Sequence, residues 1–287
     1  GPAVIGGAAV QINVLINTNF ASYLADGSIS WLNYAFRLMQ FPIGVFGVAI
    51  ASATAPQLAK LVTENKIDNL KSTLRDSLSM ALFLCIPSAL GLIFLAQPIM
   101  ALIYERGHFT SFDTLQASLA LQAYASGLVF YSLIKIYQPA FLAFNDAKTP
   151  MMVSLISIAL NAALNALFVF VLHFDHWGLS LGTSCVAFWN FWWLALLLRK
   201  KCAKVWTKDL IINFFKIIVT SLLAVGLAYV SYRWLLEHWL AKNILAKLSF
   251  VFIPILIAGL TYLFFTSLMG ITETKTLLRA LQKKIKK

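Results

Sequence analysis

The sequence predicts an all-α, polytopic membrane protein with about eight transmembrane helices. Three observations carry that expectation. Of 287 residues, 60% are hydrophobic and 12% are charged, whereas a soluble domain carries about 25% charged residues. Eight apolar stretches are long enough to cross a hydrocarbon core of about 30 Å, which takes about 20 helical residues. The basic residues, 23 against 11 acidic, fall mainly in alternate connections between those stretches. A single soluble domain and a disordered chain are both excluded. Helices are expected rather than strands, because an open sheet edge cannot be satisfied in lipid and the alternation of a barrel strand is missing.

The spans fall at about 2–24, 30–55, 77–100, 115–137, 150–172, 178–198, 210–233 and 245–268. The first is punctuated by Gln11, Asn13, Asn17 and Asn19. The second holds Pro42, Gly44 and Gly47, and the third Pro87 and Gly91. Such residues mark kinks or close helix packing in membranes. Asn161 and Asn165 stand four apart in the fifth span and share a helix face. The sixth carries Thr183 and a run of tryptophans. The last two spans are nearly free of amides and read as lipid-facing. Residues 1–200 thus form a six-helix core, 201–270 two additional helices, and 271–287 a basic tail. Leu277, Leu278, Leu281 and Ile285 fit one face of an amphipathic helix on an anionic leaflet.

Lysine and arginine set the orientation. One side collects Lys60, Lys66, Lys71 and Arg75 in a loop at 56–76, Lys148, the cluster from Arg199 to Lys208, and the basic tail. The other side has Arg106, Arg233, Lys242 and Lys247. The first side is therefore expected to be cytoplasmic, with the C-terminus inside. The net charge of +12 then reports topology and leaflet contact, not nucleic-acid binding. Trp31, Trp177, Trp206, Trp234 and Trp239 sit at span ends as expected of interface anchors, while Trp189, Trp192 and Trp193 lie deeper, facing lipid or packing. No signal peptide is visible ahead of the first span.

Little in the chain suggests bond-making chemistry, and an enzyme is not expected. All eleven acidic residues lie in loops or at span ends, so no buried carboxylate pair offers a proton relay or a metal site. Cys85, Cys185 and Cys202 show no pairing or C-x-x-C spacing. His108, His173, His176 and His238 all fall in loops of the outer side, and the His173–His176 spacing is a weak metal signal beside a polar-turn reading. Arg37 differs from all of these. It stands well inside the second span and cannot lose its proton, so its charge needs water, an anion or an interface to snorkel to. The guanidinium fork suits phosphate. Lys135 and Lys216 lie close enough to span ends to snorkel. The amide and hydroxyl oxygens of Asn17, Asn161, Asn165 and Thr183 can either ligate a hard cation or hydrogen-bond between helices.

One family resemblance is specific. Gln11-Ile12-Asn13, Ile16-Asn17-Thr18-Asn19-Phe20-Ala21-Ser22 and Gly27-Ser28-Ile29-Ser30 are followed by the run Tyr34-Ala35-Phe36-Arg37-Leu38-Met39-Gln40-Phe41-Pro42-Ile43-Gly44-Val45-Phe46-Gly47. Gly107-His108-Phe109-Thr110 with Asp113, and Asp146-Ala147-Lys148-Thr149-Pro150, complete the pattern. It resembles the lipid II flippase family (MurJ/MviN) of the multidrug/oligosaccharidyl-lipid/polysaccharide exporter superfamily. The resemblance implies a fourteen-span, two-lobe transporter of which this chain is the last eight spans, its partner being an N-terminal six-helix lobe that is missing here. It implies alternating-access movement of lipid II across the bacterial inner membrane, with other membrane lipids around it. Arg37 falls on the family's cavity arginine, and Gln40, Gln11 and Asn13 join it as substrate-binding candidates. Gln40 stands where some members have an acid. The final spans resemble those thought to form a groove for the lipid tail. Some members have a sodium site whose positions match Asn17, Asn161, Asn165, Thr183 and the Leu179 carbonyl. Asn17 and Asn165 stand there in place of acids, which leaves sodium, protons or the membrane potential as the drive. A drug or polysaccharide exporter, and a non-transporting scaffold, are the competing readings.

Overall fold

The apolar stretches fold as helices because in lipid only a helix satisfies its own backbone. A computed structural model describes residues 2–202, 204–238 and 244–285, with side chains from residue 11 onward except 244–246, 280, 281 and 283–285. The elements, in chain order, are α1 (Pro2–Ala21), α2 (Ser28–Pro42), a π-helical segment (Ile43–Val48), α3 (Ala49–Thr63), α4 (Ile67–Phe94), α5 (Ala96–Tyr104) and α6 (Ser111–Ala143). They continue with α7 (Lys148–Ala166), a second π-helical segment (Leu167–Val171), α8 (His176–Cys202), α9 (Lys208–His238), α10 (Ile244–Leu268) and α11 (Thr272–Ile285). Seven helices among the described residues are long and apolar enough to cross a membrane, starting with the continuous Ser28–Thr63 rod. The 20-residue α1 occupies the place of the first expected span. The expectations for Trp239, Lys242 and the side chains of Leu281 and Ile285 lie outside the described residues, as do the first ten side chains.

The bundle is organised around α6, which packs against α2, α3, α4, α5 and α8. Small residues make its closest contact. A Cβ on Gly127 would lie 2.7 Å from Ser184 Oγ and 2.8 Å from Ser184 Cα, so α6 and α8 touch backbone to backbone, as small-residue membrane interfaces do. Ser184 Oγ uses that proximity to donate to the Ala123 carbonyl at 2.7 Å. Proline is handled in the same economical way. Pro87 in α4 has no N–H for the Phe83 carbonyl four residues earlier, and the Tyr262 hydroxyl of α10 donates to that carbonyl at 2.6 Å. In the α2–α3 rod, Pro42 opens the π-helical segment, and Gly47 brings it to within about van der Waals contact of α6, where an added Cβ would lie 3.1 Å from Ser132 Cα.

The turns at 107–113 and 146–150 are caps. Gly107 takes a left-handed φ of 60°, and Thr110 then forms a capping box with Asp113 at the start of α6. Asp113 also accepts from the Trp31 indole at 2.8 Å, so one carboxylate caps α6 and pins α2 to it. Asp146 accepts from Thr149 N at 3.0 Å and Thr149 Oγ1 at 2.7 Å and pairs with Lys201 at 3.0 Å. Burial works against the Asp146 charge, but the Thr149 and Lys201 hydrogen bonds outweigh it and hold the carboxyl below its ordinary range.

Several sequence expectations are corrected. The expected loop at 56–76 is mostly helix: α3 runs to Thr63 and α4 starts at Ile67. Its charges are tolerated there because Glu64 pairs with Lys66 at 2.8 Å and Asp68 with Lys71 at 2.9 Å. The third span ends at Phe94, and residues 96–100 belong to the separate helix α5. Trp31 is no interface anchor, being 5% exposed and bonded to Asp113. His176 is not in a polar turn. It begins α8, is 2% exposed, lies 2.9 Å from the Gln116 carbonyl through Nε2 and packs on the Trp31 ring. Lys216 reaches the Met269 carbonyl at 3.3 Å, a cation at the C-terminal end of α10. Overpacking a close helix contact costs about 1–3 kcal/mol. Gly127→Ala is therefore expected to lower the melting temperature of the purified protein clearly, while Gly226→Ala, with open space around it, is expected to leave it unchanged or slightly raised.

Candidate functional site

Two polar features interrupt the apolar surfaces of the spans. The first is buried. On α7 the inward residues repeat every fourth position as Val153, Ser157, Asn161 and Asn165, a stripe aimed at α1 and α8. Asn161 and Asn165 are 1% and 0% exposed. Both donate through Nδ2 to Asn17 Oδ1 of α1, at 3.0 and 2.7 Å. Asn17 Nδ2 donates to Thr183 Oγ1 of α8 at 3.0 Å, and Thr183 Oγ1 donates to the Leu179 carbonyl at 2.8 Å. The Asn17 side chain thereby joins three helices. A parallel tie runs from Asn190 Nδ2 to Ser157 Oγ at 3.1 Å.

All five residues matched to a cation site in the sequence therefore meet in space. Their chemistry does not fit a cation. Amide N–H groups, not oxygens, converge on Asn17 Oδ1, and the oxygens of Thr183 and Leu179 accept from protein donors. Turning either α7 amide alone would set oxygen against oxygen. Asn161 Oδ1 and Asn165 Oδ1 have no hydrogen-bond partner, which leaves room for a donor such as water. None of the five carries a negative charge, and an uncompensated cation at this depth is costly. The arrangement is that of a neutral clasp.

The second feature is a small cavity of about 90 Å³ beside the clasp. Asn13, Asn17 and Thr18 of α1, Asn33 and Phe36 of α2, Tyr124 and Tyr131 of α6, and Thr183 line it. Asn13 Oδ1 is buried without a partner, and Tyr131 OH donates weakly to the Thr183 carbonyl at 3.4 Å. Arg37 is not in the lining. It follows Asn33 by one turn on the same exposed face of α2, which continues to Gln40 and Gly44. It lies about 14 Å along the helix from Ser28 at 1.5 Å per residue. Among the described residues it has no ion pair. Its neighbours are aromatic: Tyr34 packs on Tyr104 with ring centroids 4.5 Å apart. Burial pushes the Tyr104 phenol up, and the nearby Arg37 charge pulls it partly back.

The structure thus brings Asn13 and Asn17 to the cavity, sets Arg37 and Gln40 just beyond it, and leaves Gln11 exposed on α1. Asn33, Tyr124 and Tyr131 were not singled out from the sequence. Their signals were available: Asn33 precedes Arg37 by four, and Tyr124 and Tyr131 stand seven apart on one face of α6.

The fold defines a class. A multidrug-resistance MATE-family transporter of the MOP superfamily superposes with a TM-score of 0.62 over 92% of this chain and 61% of that one, at 14% identity, which shows a shared helical fold alone. The family follows from closer likeness. The family model described as "Lipid II flippase MurJ" matches residues 1–256, and the chain belongs to that family. A solved structure of lipid II flippase MurJ in an inward closed conformation is 32% identical, with a TM-score of 0.77 over 93% of this chain and 52% of that one. A probable lipid II flippase MurJ of Buchnera aphidicola subsp. Acyrthosiphon pisum is 33% identical over 272 residues, 94% of this chain and 52% of its own length. The chain spans about half the length, or less, of the curated relatives it matches.

A buried side-chain hydrogen bond between membrane helices contributes about 0.6 kcal/mol, and Asn17 makes three. Asn17→Leu is expected to destabilise the purified protein by about 2 kcal/mol on that basis. Exchanging NaCl for KCl is expected to leave the melting temperature of the native protein unchanged; a sodium-specific rise would contradict the neutral clasp.

Proposed function

We propose that this chain is the part of a lipid II flippase that carries Arg37, and that the whole protein moves lipid-linked peptidoglycan precursor across the bacterial inner membrane by alternating access. One observation carries the reading: a permanent guanidinium charge stands well inside a membrane span, without an acidic partner among the described residues, one turn from a polar cavity. An unpaired intramembrane charge is a ligand site by default. A pyrophosphate suits it, because a guanidinium binds phosphate oxygens two at a time. Gln40 shares its face, and Asn13 and Asn33 offer amides to sugar or peptide groups at the cavity. Gln11, exposed on α1, is the more remote candidate.

The basic-rich ends of the spans face the cytoplasm in this reading, and α11 lies at the anionic leaflet. The exposed apolar faces of α9 and α10, including Phe252, Leu256, Leu260 and Phe264, lie against lipid. Transport is driven by the membrane potential or by protons, because the Asn17 clasp offers no charge to hold sodium. Residues 1–200 act as the core and 201–270 as its lipid-facing addition. A second, six-helix lobe completes the cavity wall that Arg37 faces.

In cells depleted of their own flippase, the full protein with Arg37→Ala is expected to fail to support growth at normal abundance, and Arg37→Lys to support it partly. Full growth with Arg37→Ala would remove the head-group role, as a scaffold reading requires. Export of a drug with no movement of lipid II would favour the exporter reading.

A further inference from the structure

On the basic face of the bundle, α8 ends at Cys202 and α9 begins at Lys208. Ahead of α9 the chain is anchored at Val205 and Trp206. Val205 is 5% exposed, and the Trp206 indole donates to the buried Tyr137 hydroxyl at 2.9 Å. Beside that turn opens a cavity of about 310 Å³ with an aromatic and aliphatic wall that includes Phe191, Trp192 and Leu196, and with Arg199 and Lys204 at its rim. A second cavity of about 460 Å³ adjoins it, sharing Leu196 and Arg199 and adding Lys200.

The charges here divide in two. Lys201 is taken by Asp146 at 3.0 Å and lies 5.9 Å from the Phe144 ring centre. Arg199, Lys200 and Lys204 are exposed and have no acidic partner among the described residues. Trp192, Leu196 and Arg199 follow each other by four and three, a single stripe of α8 that is apolar toward the span and basic at its end. Trp192 is 52% exposed and Leu196 41%.

We propose that this stripe and turn form a binding site for an anionic glycerophospholipid of the surrounding leaflet. The headgroup phosphate sits between Arg199 and Lys204, with Lys200 adding charge, and an acyl chain runs along Leu196 and Trp192. Basic pockets at the ends of membrane helices recognise such headgroups, and arginine holds a phosphate diester through two parallel hydrogen bonds. The apolar wall selects an amphiphile over free phosphate, which would gain nothing from Phe191 or Trp192. The anchoring of Val205 and Trp206 matters because a preorganised site binds at lower entropic cost. The site lies on the opposite part of the bundle's chain from Arg37, on α8 rather than α2, and is separate from the head-group role proposed for that residue. It shares with the proposed function only the membrane placement of the spans, and lipid II transport is not its readout.

The test is native mass spectrometry of the whole protein in neutral detergent, titrated with phosphatidylglycerol. Arg199→Gln with Lys204→Gln is expected to weaken the tightest lipid adduct at least tenfold. Lys275→Gln with Arg279→Gln, which removes as much charge from the tail, is expected to change it little. Phosphatidylcholine and inorganic phosphate are expected not to displace the bound lipid. Equal weakening in both double variants would reduce the effect to bulk charge and overturn the site. Displacement by inorganic phosphate would overturn the lipid as its occupant. Should the first double variant lose its fold, Lys204→Gln alone, in an exposed turn, decides between the same outcomes.

Discussion

Asn17 is the side chain on which the arrangement of the polar half of this bundle depends. Lipid offers no hydrogen bonds, so an amide placed inside it must find its partners within the protein. Asn17 finds three: two donors from α7 and one acceptor from α8. This fixes α1 against the α7–α8 pair and leaves its other polar residues, Asn13 and Thr18, turned toward α2 and α6. The cavity exists because α1 is tied on one side and open on the other. The close α6–α8 contact at Gly127 sets the opposite wall, where Tyr124 and Tyr131 project.

Charge is handled by a different rule. Four of the acids serve helix ends: Asp113 and Asp146 cap α6 and α7, and Glu64 and Asp68 neutralise lysines near the α3–α4 turn. Glu105, next in the chain to Tyr104, is taken by Lys247, and no carboxylate among the described residues forms an ion pair with Arg37. That distribution separates a structural charge from a functional one. Lys201 has its carboxylate, whereas Arg37, Arg199 and Lys204 have none among the described residues and present their charge to whatever approaches from outside the bundle.

Much of this was legible in the sequence. Apolar length and the placement of lysine gave the number and order of spans, because bilayer thickness and backbone satisfaction admit few alternatives. The four-residue spacing of Asn161 and Asn165 announced a shared polar face, and Arg37 announced itself by its cost. What was not legible depends on tertiary neighbours. Hydropathy breaks at Lys60 and Arg75, although the helices continue past the apolar region, so the 56–76 connection reads as a loop. Trp31 looks like an interface anchor and His176 like a residue of an outer polar turn in one dimension, and they become a buried pair only when α2 and α8 meet. The amide cluster reads equally as cation ligands or as a clasp until the direction of each N–H is known.

The central claim is that Arg37 binds the anionic head group while Asn17 only holds the wall in place. Equilibrium binding of lipid II to the full protein in lipid nanodiscs, measured for Arg37→Ala and Asn17→Leu with the folded fraction determined for each, tests it most directly. The account predicts that Arg37→Ala keeps its melting temperature and loses lipid II affinity at least tenfold, whereas Asn17→Leu melts earlier and binds nearly normally per folded molecule. Unchanged affinity in folded Arg37→Ala would contradict it.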